Sequence, residues 1–231
     1  MMSEKFRIGM ILFPDLTQLD LTGPYEVFSR MPDSEILLLA ETKEAVRSEK
    51  GLSILPDRTW EGVSDLDLVF VPGGIGVNPM MENENLLSWI RARSKSCKYM
   101  TSVCTGSLVL AAAGVLDGYK ATTHWLSLPV LELFPEIEIS TDRVVIDRNR
   151  ITGGGITAGI DFALRVVSEI RGSEAAQEIQ LMMEYNPDPP FRSGHPSVSP
   201  PSLVDKIRES RKKAQDLRME IAKRAISDRR K

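Results

Sequence analysis

The chain has 231 residues, of which 42% are hydrophobic, and its formal net charge is -3. A chain of this length can bury one sizeable core, so we expect a single domain with at most one appendage. The small negative charge excludes the global basic field that is typical of nucleic-acid binding. No apolar stretch approaches the roughly 20 residues of a membrane span. The sequence therefore predicts no nucleic-acid partner and no membrane partner.

The two cysteines, Cys97 and Cys104, are too few for a disulfide framework. A reducing compartment is the simpler interpretation of such cysteine usage. The N-terminal segment has too short an apolar run for a signal peptide and continues directly into a predicted strand. We therefore predict a cytoplasmic protein.

Short apolar runs alternate with runs of helical spacing along most of the chain. This alternation is typical of an α/β fold with a mainly parallel sheet and helices on both faces. Pro24 marks the first turn of the first helix, and Gly114 and Gly172 close later ones. The pattern predicts strands over 6–13, 35–41, 67–74, 99–103 and 150–155, and helices over 23–31, 83–96, 105–114, 157–172 and 173–185.

Three unusual segments stand at predicted strand ends: Gly73-Gly74, Cys104, and the triglycine at 153–155. In parallel sheets the ligand site lies outside the carboxyl ends of the strands, so the fold should bring these segments together. The glycines could present backbone N–H groups as an anion-binding nest. Tight turns between strand and loop are the simpler alternative, and both interpretations can hold.

The segment after residue 185 differs from the rest. Residues 186–202 hold too many prolines for regular structure and indicate an extended arm. Residues 205–231 carry 11 Lys or Arg against 5 Asp or Glu, with apolar residues at helical spacing. We therefore predict an α/β domain over 1–185, followed over 186–231 by an arm and an amphipathic helix that packs on the domain or on a second subunit; a solvated terminal helix is the alternative. The apolar stripe consists of Ile207, Ala214, Leu217, Ile221 and Ala225.

Cys104, in SVCTGS, stands where a strand gives way to a helix, as the nucleophile of a strand–turn–helix elbow does. At a helix N-terminus the unpaired N–H groups and the helix dipole stabilise an anion. The sequence therefore predicts a lowered thiol pKa and a strained backbone. A buried structural cysteine is the alternative, and it is our interpretation of Cys97, which lacks this setting.

Few side chains are available as an acid or base for Cys104. Thr105 follows it directly, His195 lies in the proline arm, and no His-x-Glu occurs, which excludes a Cys-His-Glu triad. His124 could approach, and a buried structural histidine explains it equally well. Asp20 lies in a loop that should share the sheet edge, where burial would raise its pKa and make it a proton donor. Helix capping is the alternative role for this carboxylate.

Four stretches of the chain resemble the ThiJ/PfpI superfamily: LDLTGPYEVF, VPGG, TSVCTGSLVLAAAGVLDGYKATTHW and ITGGGITAGIDFAL. Together they span most of residues 6–170. The resemblance is closest to isocyanide hydratases and extends through QLMMEYNPDPPF and the terminal helix. The N-terminal domains of some AraC-type regulators are similar over the same core. Those regulators carry a further helix-turn-helix domain, so we do not expect this chain to read DNA.

The resemblance implies a flavodoxin-like fold and a homodimer. It implies that isocyanides are converted to N-substituted formamides through a cysteine thioimidate, which needs no metal and no organic cofactor. A cysteine hydrolase or glyoxalase-like enzyme acting on another small electrophile, or a redox or ligand sensor, is the alternative. The peptidase-like branch has histidine directly after the cysteine, so threonine here disfavours a peptidase. The implied residues are Cys104 as nucleophile, Asp20 as general acid and base, Thr105 as a required neighbour, and Gly73, Gly74, Gly154 and Ile156 near the sulfur or substrate.

Overall fold

A computed structural model describes residues 5–229 and shows eleven strands, eight α-helices and two 3₁₀ turns in that range. The strands are β1 Phe6–Ile11, β2 Ser34–Ala40, β3 Val46–Arg47, β4 Ser53–Ile54, β5 Arg58–Thr59, β6 Leu68–Val71, β7 Tyr99–Val103, β8 Lys120–Ala121, β9 Glu138–Ile139, β10 Val144–Asp147 and β11 Arg150–Gly153. The helices are α1 Gln18–Phe28, α2 Val77–Met80, α3 Glu84–Arg93, α4 Gly106–Ala112, α5 Leu128–Leu131, α6 Ala158–Arg171, α7 Ser173–Met182 and α8 Pro201–Arg229. The 3₁₀ turns are Trp60–Gly62 and Trp125–Ser127.

The central sheet has seven strands in the order β10-β11-β7-β6-β1-β2-β5. Neighbouring strands are parallel except for β10 and β11, which form an antiparallel pair at one edge. β6 and β7 are buried almost throughout, as expected for strands covered on both faces. The flavodoxin-like α/β prediction is therefore confirmed. The two edge strands, β5 and β10, were not predicted from the sequence.

Helices pack in two groups against the sheet. α1 contacts α6, and α6 contacts α7, whereas α4 contacts α2, α3, α5 and α8. Phe28 of α1, Phe70 of β6 and Phe162 of α6 form a buried aromatic cluster with ring centroids 5.7 to 6.4 Å apart. Such contacts bury large apolar area and fix geometry. The cluster holds α1 and α6, the two helices that border the candidate site, on one face of the sheet.

The first helix begins earlier than predicted, at Gln18 instead of residue 23, with Pro24 inside it. A proline in a helix removes one backbone hydrogen bond, here to the carbonyl of Asp20. Close packing against α6 offsets this loss, because Gly159 leaves room for the Pro24 ring. The correction places Asp20 in the first turn of α1 and not in a loop.

The C-terminal helix α8 packs against α4, α5 and the second 3₁₀ turn of its own chain. The predicted stripe is right for Ile221 and Ala225, which are buried, and wrong for Ile207 and Leu217, which are 38% and 55% exposed. Most of the residues that α8 buries lie in its C-terminal half, so the N-terminal part of the predicted stripe is left largely exposed. The predicted domain boundary at 185 stays a prediction. None of the helices between residues 5 and 229 is long and apolar enough to cross a membrane.

Candidate active site

The carboxyl ends of β7 and β11 meet at Cys104. Its backbone N–H donates to the carbonyls of Gly153 and Gly154, each at 3.0 Å. β6 lies beside β7, and its last residue, Val71, pairs with Ser102. This pairing brings the turn after β6 to the same edge of the sheet. The three segments singled out in the sequence therefore converge, as the parallel sheet predicts.

Cys104 has a φ of +52°, in the left-handed region that residues other than glycine rarely adopt. The chain reverses there from β7 into α4. Gly106 allows the start of α4 to approach the carbonyl of Val71, because any side-chain carbon at position 106 would overlap this carbonyl oxygen. The predicted strained elbow is confirmed. Both cysteines are free and buried, and burial raises the pKa of the Cys97 thiol to about 11.

Asp20 and Cys104 approach each other at Gly73. A side-chain carbon built onto Gly73 would lie 2.7 Å from Cβ of Cys104 and 2.8 Å from Oδ2 of Asp20. Asp20 is fully buried, and neither of its carboxyl oxygens makes a hydrogen bond of standard geometry within residues 5–229. A buried carboxyl without firm partners is costly in its charged form and therefore available for proton transfer.

The pKa values of the two groups rise together. Burial raises the pKa of Asp20 to about 7, although the Cys104 thiol and the Gly73 backbone act to lower it. This direction agrees with the sequence prediction. The lowered thiol pKa predicted for Cys104 is wrong, because burial and the nearby Asp20 raise it well above its ordinary value despite the backbone N–H of Thr105 and the charge of Arg218. At neutral pH the Cys104 thiol is therefore protonated, while Asp20 is divided between its acid and carboxylate forms.

Thr105 connects the elbow to the turn after β6. Its hydroxyl accepts the N–H of Gly74 at 3.0 Å and donates to the Gly74 carbonyl at 3.2 Å. Gly74 has a φ of +130° and forms an isolated bridge with Leu16. Only glycine adopts this conformation without strain. These contacts hold Gly73 and Gly74 against Cys104.

The triglycine approaches the sulfur through its last member. A side-chain carbon on Gly155 would lie 3.0 Å from Sγ of Cys104 and would overlap the His124 ring, whereas one on Gly154 would find its nearest atoms at 3.7 and 3.9 Å. The sequence analysis missed Gly155 as the close neighbour. Ile156 is 39% exposed in the turn before α6, and its contact with the sulfur or substrate stays a prediction.

His124 lies across Gly155 from the sulfur, and the sequence left its role open. Its Nδ1 accepts the N–H of Leu126 at 3.3 Å. Burial, together with the charge of Arg218, lowers the pKa of His124 to about 4. The imidazole is thus neutral at physiological pH and a poor proton acceptor. His195 lies in the arm, where its ring bonds with Ser197.

Known proteins resemble this chain over most of its length. The model of the DJ-1/PfpI family matches residues 6–169. The chain belongs to the DJ-1/PfpI family. It is similar to the isonitrile hydratase of Pseudomonas putida, with 48% identity over 221 residues that cover 96% of each chain.

Two solved structures of DJ-1/PfpI proteins support the same fold. A ThiJ/PfpI family protein from Pseudomonas syringae superposes with a TM-score of 0.91 at 39% identity, covering 94% of this chain and 90% of its own. Drosophila melanogaster DJ-1beta superposes with a TM-score of 0.72 at 26% identity, covering 78% of this chain and 98% of its own. The DJ-1/PfpI model ends before the arm and α8, so this tail lies outside the part that defines the family.

Arg218, on α8, is the charged residue near the DJ-1/PfpI core that sequence reasoning missed. It is 6% exposed, and it donates to Oδ1 of Asn78 at 2.8 Å and to Oγ of Ser127 at 3.1 Å. One signal could have found it: Arg218 precedes the buried Ile221 by three residues and Ala222 by four. Residues at these spacings share a helix face, so this arginine stands on the buried stripe.

A cavity of about 350 Å³ adjoins the site beside the triglycine. Thr123 and Gly155 connect it to the elbow, since the Thr123 hydroxyl donates to the Cys104 carbonyl at 2.9 Å and Gly155 borders the sulfur. Trp125, Leu128 and Ala158 give the cavity an apolar wall. This combination can hold a small, largely apolar group next to a nucleophile.

Proposed function

We propose that this protein is an isonitrile (isocyanide) hydratase that converts an isocyanide and water to an N-substituted formamide. The observation that carries the proposal is the convergence of Cys104 and Asp20 at Gly73, in a buried site where the neighbouring histidine is neutral. The near full-length similarity to the Pseudomonas putida isonitrile hydratase supports the substrate class. An isocyanide needs a nucleophile for its terminal carbon and one proton donor, and this pair supplies both.

In the first step the pair carries one proton. Cys104 transfers its thiol proton to the Asp20 carboxylate as Sγ attacks the terminal carbon and forms a C–S bond. Asp20 then protonates this carbon, and the product is the thioimidate R–N=CH–S–Cys104 with Asp20 as carboxylate. The raised pKa of Asp20, about 7, suits a group that takes and returns a proton near neutral pH.

In the second step water adds across the C=N bond. Asp20 takes one proton from the water and delivers it to nitrogen, while the hydroxyl forms the new C–O bond, which gives R–NH–CH(OH)–S–Cys104. Asp20 next takes the hydroxyl proton as the C–S bond breaks, and the Cys104 thiolate leaves with the bonding electrons. Asp20 then gives this proton to the thiolate, which restores the Cys104 thiol and the Asp20 carboxylate. The products are R–NH–CHO and the starting pair, so one water is consumed in each cycle.

The cavity beside Gly155 is the proposed place for the R group. Its apolar wall of Trp125, Leu128 and Ala158 can cover a compact alkyl or aryl substituent, while Asp142 and Arg143 line another part of the cavity.

The test is detection of formamide by NMR after purified protein is incubated with a panel of alkyl and aryl isocyanides. We expect stoichiometric N-substituted formamide, an unmodified thiol after turnover, and a mass increase equal to one isocyanide on Cys104 in a quenched reaction. The Cys104→Ala variant is the matched control. Absence of formamide across the panel from folded protein, or Cys104 oxidised without turnover, would exclude the hydratase and favour a sensor.

A further inference from the structure

Arg218 joins the two segments that flank the candidate site. Asn78, which accepts from its Nε, lies in α2 just after the Gly73-Gly74 turn. Ser127, which accepts from Nη1, donates its own backbone N–H to the carbonyl of His124 at 2.7 Å. Within the described residues no carboxylate is bonded to this guanidinium. Arg218 is therefore a buried cation held by two neutral oxygens.

Such a cation is costly to bury, and burial lowers the pKa of Arg218, although arginine stays charged in proteins. A buried, strongly perturbed charge beside a candidate site is a candidate for a functional role there. Every charged or titratable group that faces the site is then relevant. The charges of Asp20 on α1 and Arg218 on α8 act on Cys104. The charge of Glu49, between β3 and β4, acts on Asp20, and that of Arg218 acts on His124.

We propose that Arg218 is a positioning residue that holds the Asn78 and His124–Ser127 segments around Cys104, and whose charge favours the Cys104 thiolate over a His124 imidazolium. The charge has opposite effects on the two groups, because it attracts the anion and repels the cation. Arg218 thus adds to the desolvation that keeps His124 neutral, which leaves Asp20 as the proton-transfer partner. This inference deepens the proposed function and rests on it for its catalytic meaning.

The placement of Arg218 explains why a helix outside the family model belongs near the site. Hydrogen bonds attach α8 to the domain both before and after Arg218. Ser127 donates to Gln215 at 3.1 Å, and Arg229 donates to the carbonyl of Ala111 at 2.7 Å. DJ-1beta covers 78% of this chain, while the Pseudomonas putida hydratase match covers 96%. The match to the Pseudomonas putida hydratase therefore extends into the tail that carries Arg218.

The experiment measures the pH dependence of Cys104 alkylation by iodoacetamide in substrate-free protein, with Cys97 as internal reference. Arg218→Met should raise the apparent pKa of the Cys104 thiol by about one unit, which makes alkylation about tenfold slower below that pKa. Arg218→Lys should stay close to wild type. Asn78→Asp keeps the arginine but neutralises it with a carboxylate, so it should shift the profile in the same direction as Arg218→Met.

Arg224→Met is the matched control on the same helix, because Arg224 is exposed and pairs with Glu82 at 2.7 Å. It should leave the profile unchanged. An NMR titration should also show a raised His124 pKa in Arg218→Met. An unchanged thiol profile in folded Arg218→Met overturns the proposal, as does an unchanged profile in Asn78→Asp if Arg218→Met does not fold. Alkylation needs no isocyanide, so these outcomes are separate from failure of the hydratase assay.

Discussion

The hydroxyl of Thr105 accepts from the N–H of Gly74 and donates to the carbonyl of the same residue, at 3.0 and 3.2 Å. One side chain thus satisfies both backbone groups of a glycine held at positive φ. This double contact fixes the turn after β6 against the cysteine elbow. The residue after the nucleophile therefore has a structural explanation that does not require it to touch substrate.

Thr105→Val removes both hydrogen bonds while keeping the side-chain shape. We expect loss of about 1–3 kcal/mol of stability, because the buried backbone groups of Gly74 lose their partner. We also expect about a 10²-fold lower kcat, since a small displacement of the turn misplaces the reacting groups. Thr105→Ser keeps the hydroxyl and should stay within a few-fold of wild type. Equal kcat in the valine and serine variants would contradict the assignment.

The proposed roles of Cys104 and Asp20 predict non-additive losses. Asp20→Asn keeps size but cannot transfer a proton, which should cost about 10²–10⁴ in rate. Cys104→Ala should cost at least as much, and the double variant should be no worse, because both groups serve one step. His124→Asn should keep measurable turnover. A folded but inert His124→Asn beside an active Asp20→Asn would replace this mechanism with a Cys–His one.

Activity should fall below about pH 7. Attack requires a carboxylate at Asp20 to accept the thiol proton, and this carboxyl has a pKa of about 7. As the pH drops through that value Asp20 also becomes protonated and can no longer accept the thiol proton, so kcat/KM should decrease about tenfold per pH unit. The measurement is a pH profile with one alkyl isocyanide. A flat profile from pH 8 down to about pH 5 would contradict the assignment of Asp20.

The same carboxyl should make the folded protein less stable as the pH rises. Asp20 ionises near 3.8 in an unfolded chain and near 7 here, so between these values the folded state binds the extra proton. Asp20→Asn removes this penalty and should stabilise the protein more at about pH 8 than at about pH 5, by at most about 3 kcal/mol. Urea unfolding of wild type and Asp20→Asn at the two pH values measures this difference in the free energy of unfolding. If the variant differed from wild type by the same amount at both pH values, the result would be inconsistent with a buried carboxyl of raised pKa.

Gly155 should tolerate no side chain. Gly155→Ala would place a carbon on the His124 ring and 3.0 Å from Sγ of Cys104, so we expect severe loss of turnover and slower alkylation of the thiol. Gly154→Ala is the matched control, because its nearest atoms would lie at 3.7 and 3.9 Å. Gly154→Ala should lose far less turnover and far less alkylation rate than Gly155→Ala. Comparable losses in the two variants would show that space at the sulfur is not the reason.

The tail predicts a homodimer. Phe191 in the arm is 77% exposed and Leu217 on α8 is 55% exposed, which leaves apolar area that a second copy can cover. Light scattering of the full-length protein should give twice the chain mass of 25.7 kDa. Phe191→Glu with Leu217→Glu should shift it toward monomer, while deletion of residues 186–231 should also lower solubility. A monomer mass for the wild-type chain would refute the prediction.

The sequence by itself determined the fold class and indicated that Cys104 and Asp20 lie at the same edge of the sheet. Apolar runs ending in glycine or a polar residue are enough to predict a parallel sheet, and a parallel sheet brings its carboxyl ends to one edge. Cys104 and Asp20 follow from that rule together with the scarcity of histidine. The early start of α1 did not follow, because packing against α6 outweighs the local signal of Pro24.

Tertiary structure alone decided the electrostatics of the site. The helix N-terminus at Cys104 predicts a lowered thiol pKa, yet burial and the adjacent Asp20 raise it, and only the fold sets these two quantities. Arg218 stands more than a hundred residues from Cys104 in sequence and reaches the site because α8 packs back onto α4 and α5. Local patterns encode helices, strands and turns, whereas desolvation and charge proximity depend on which distant segments meet.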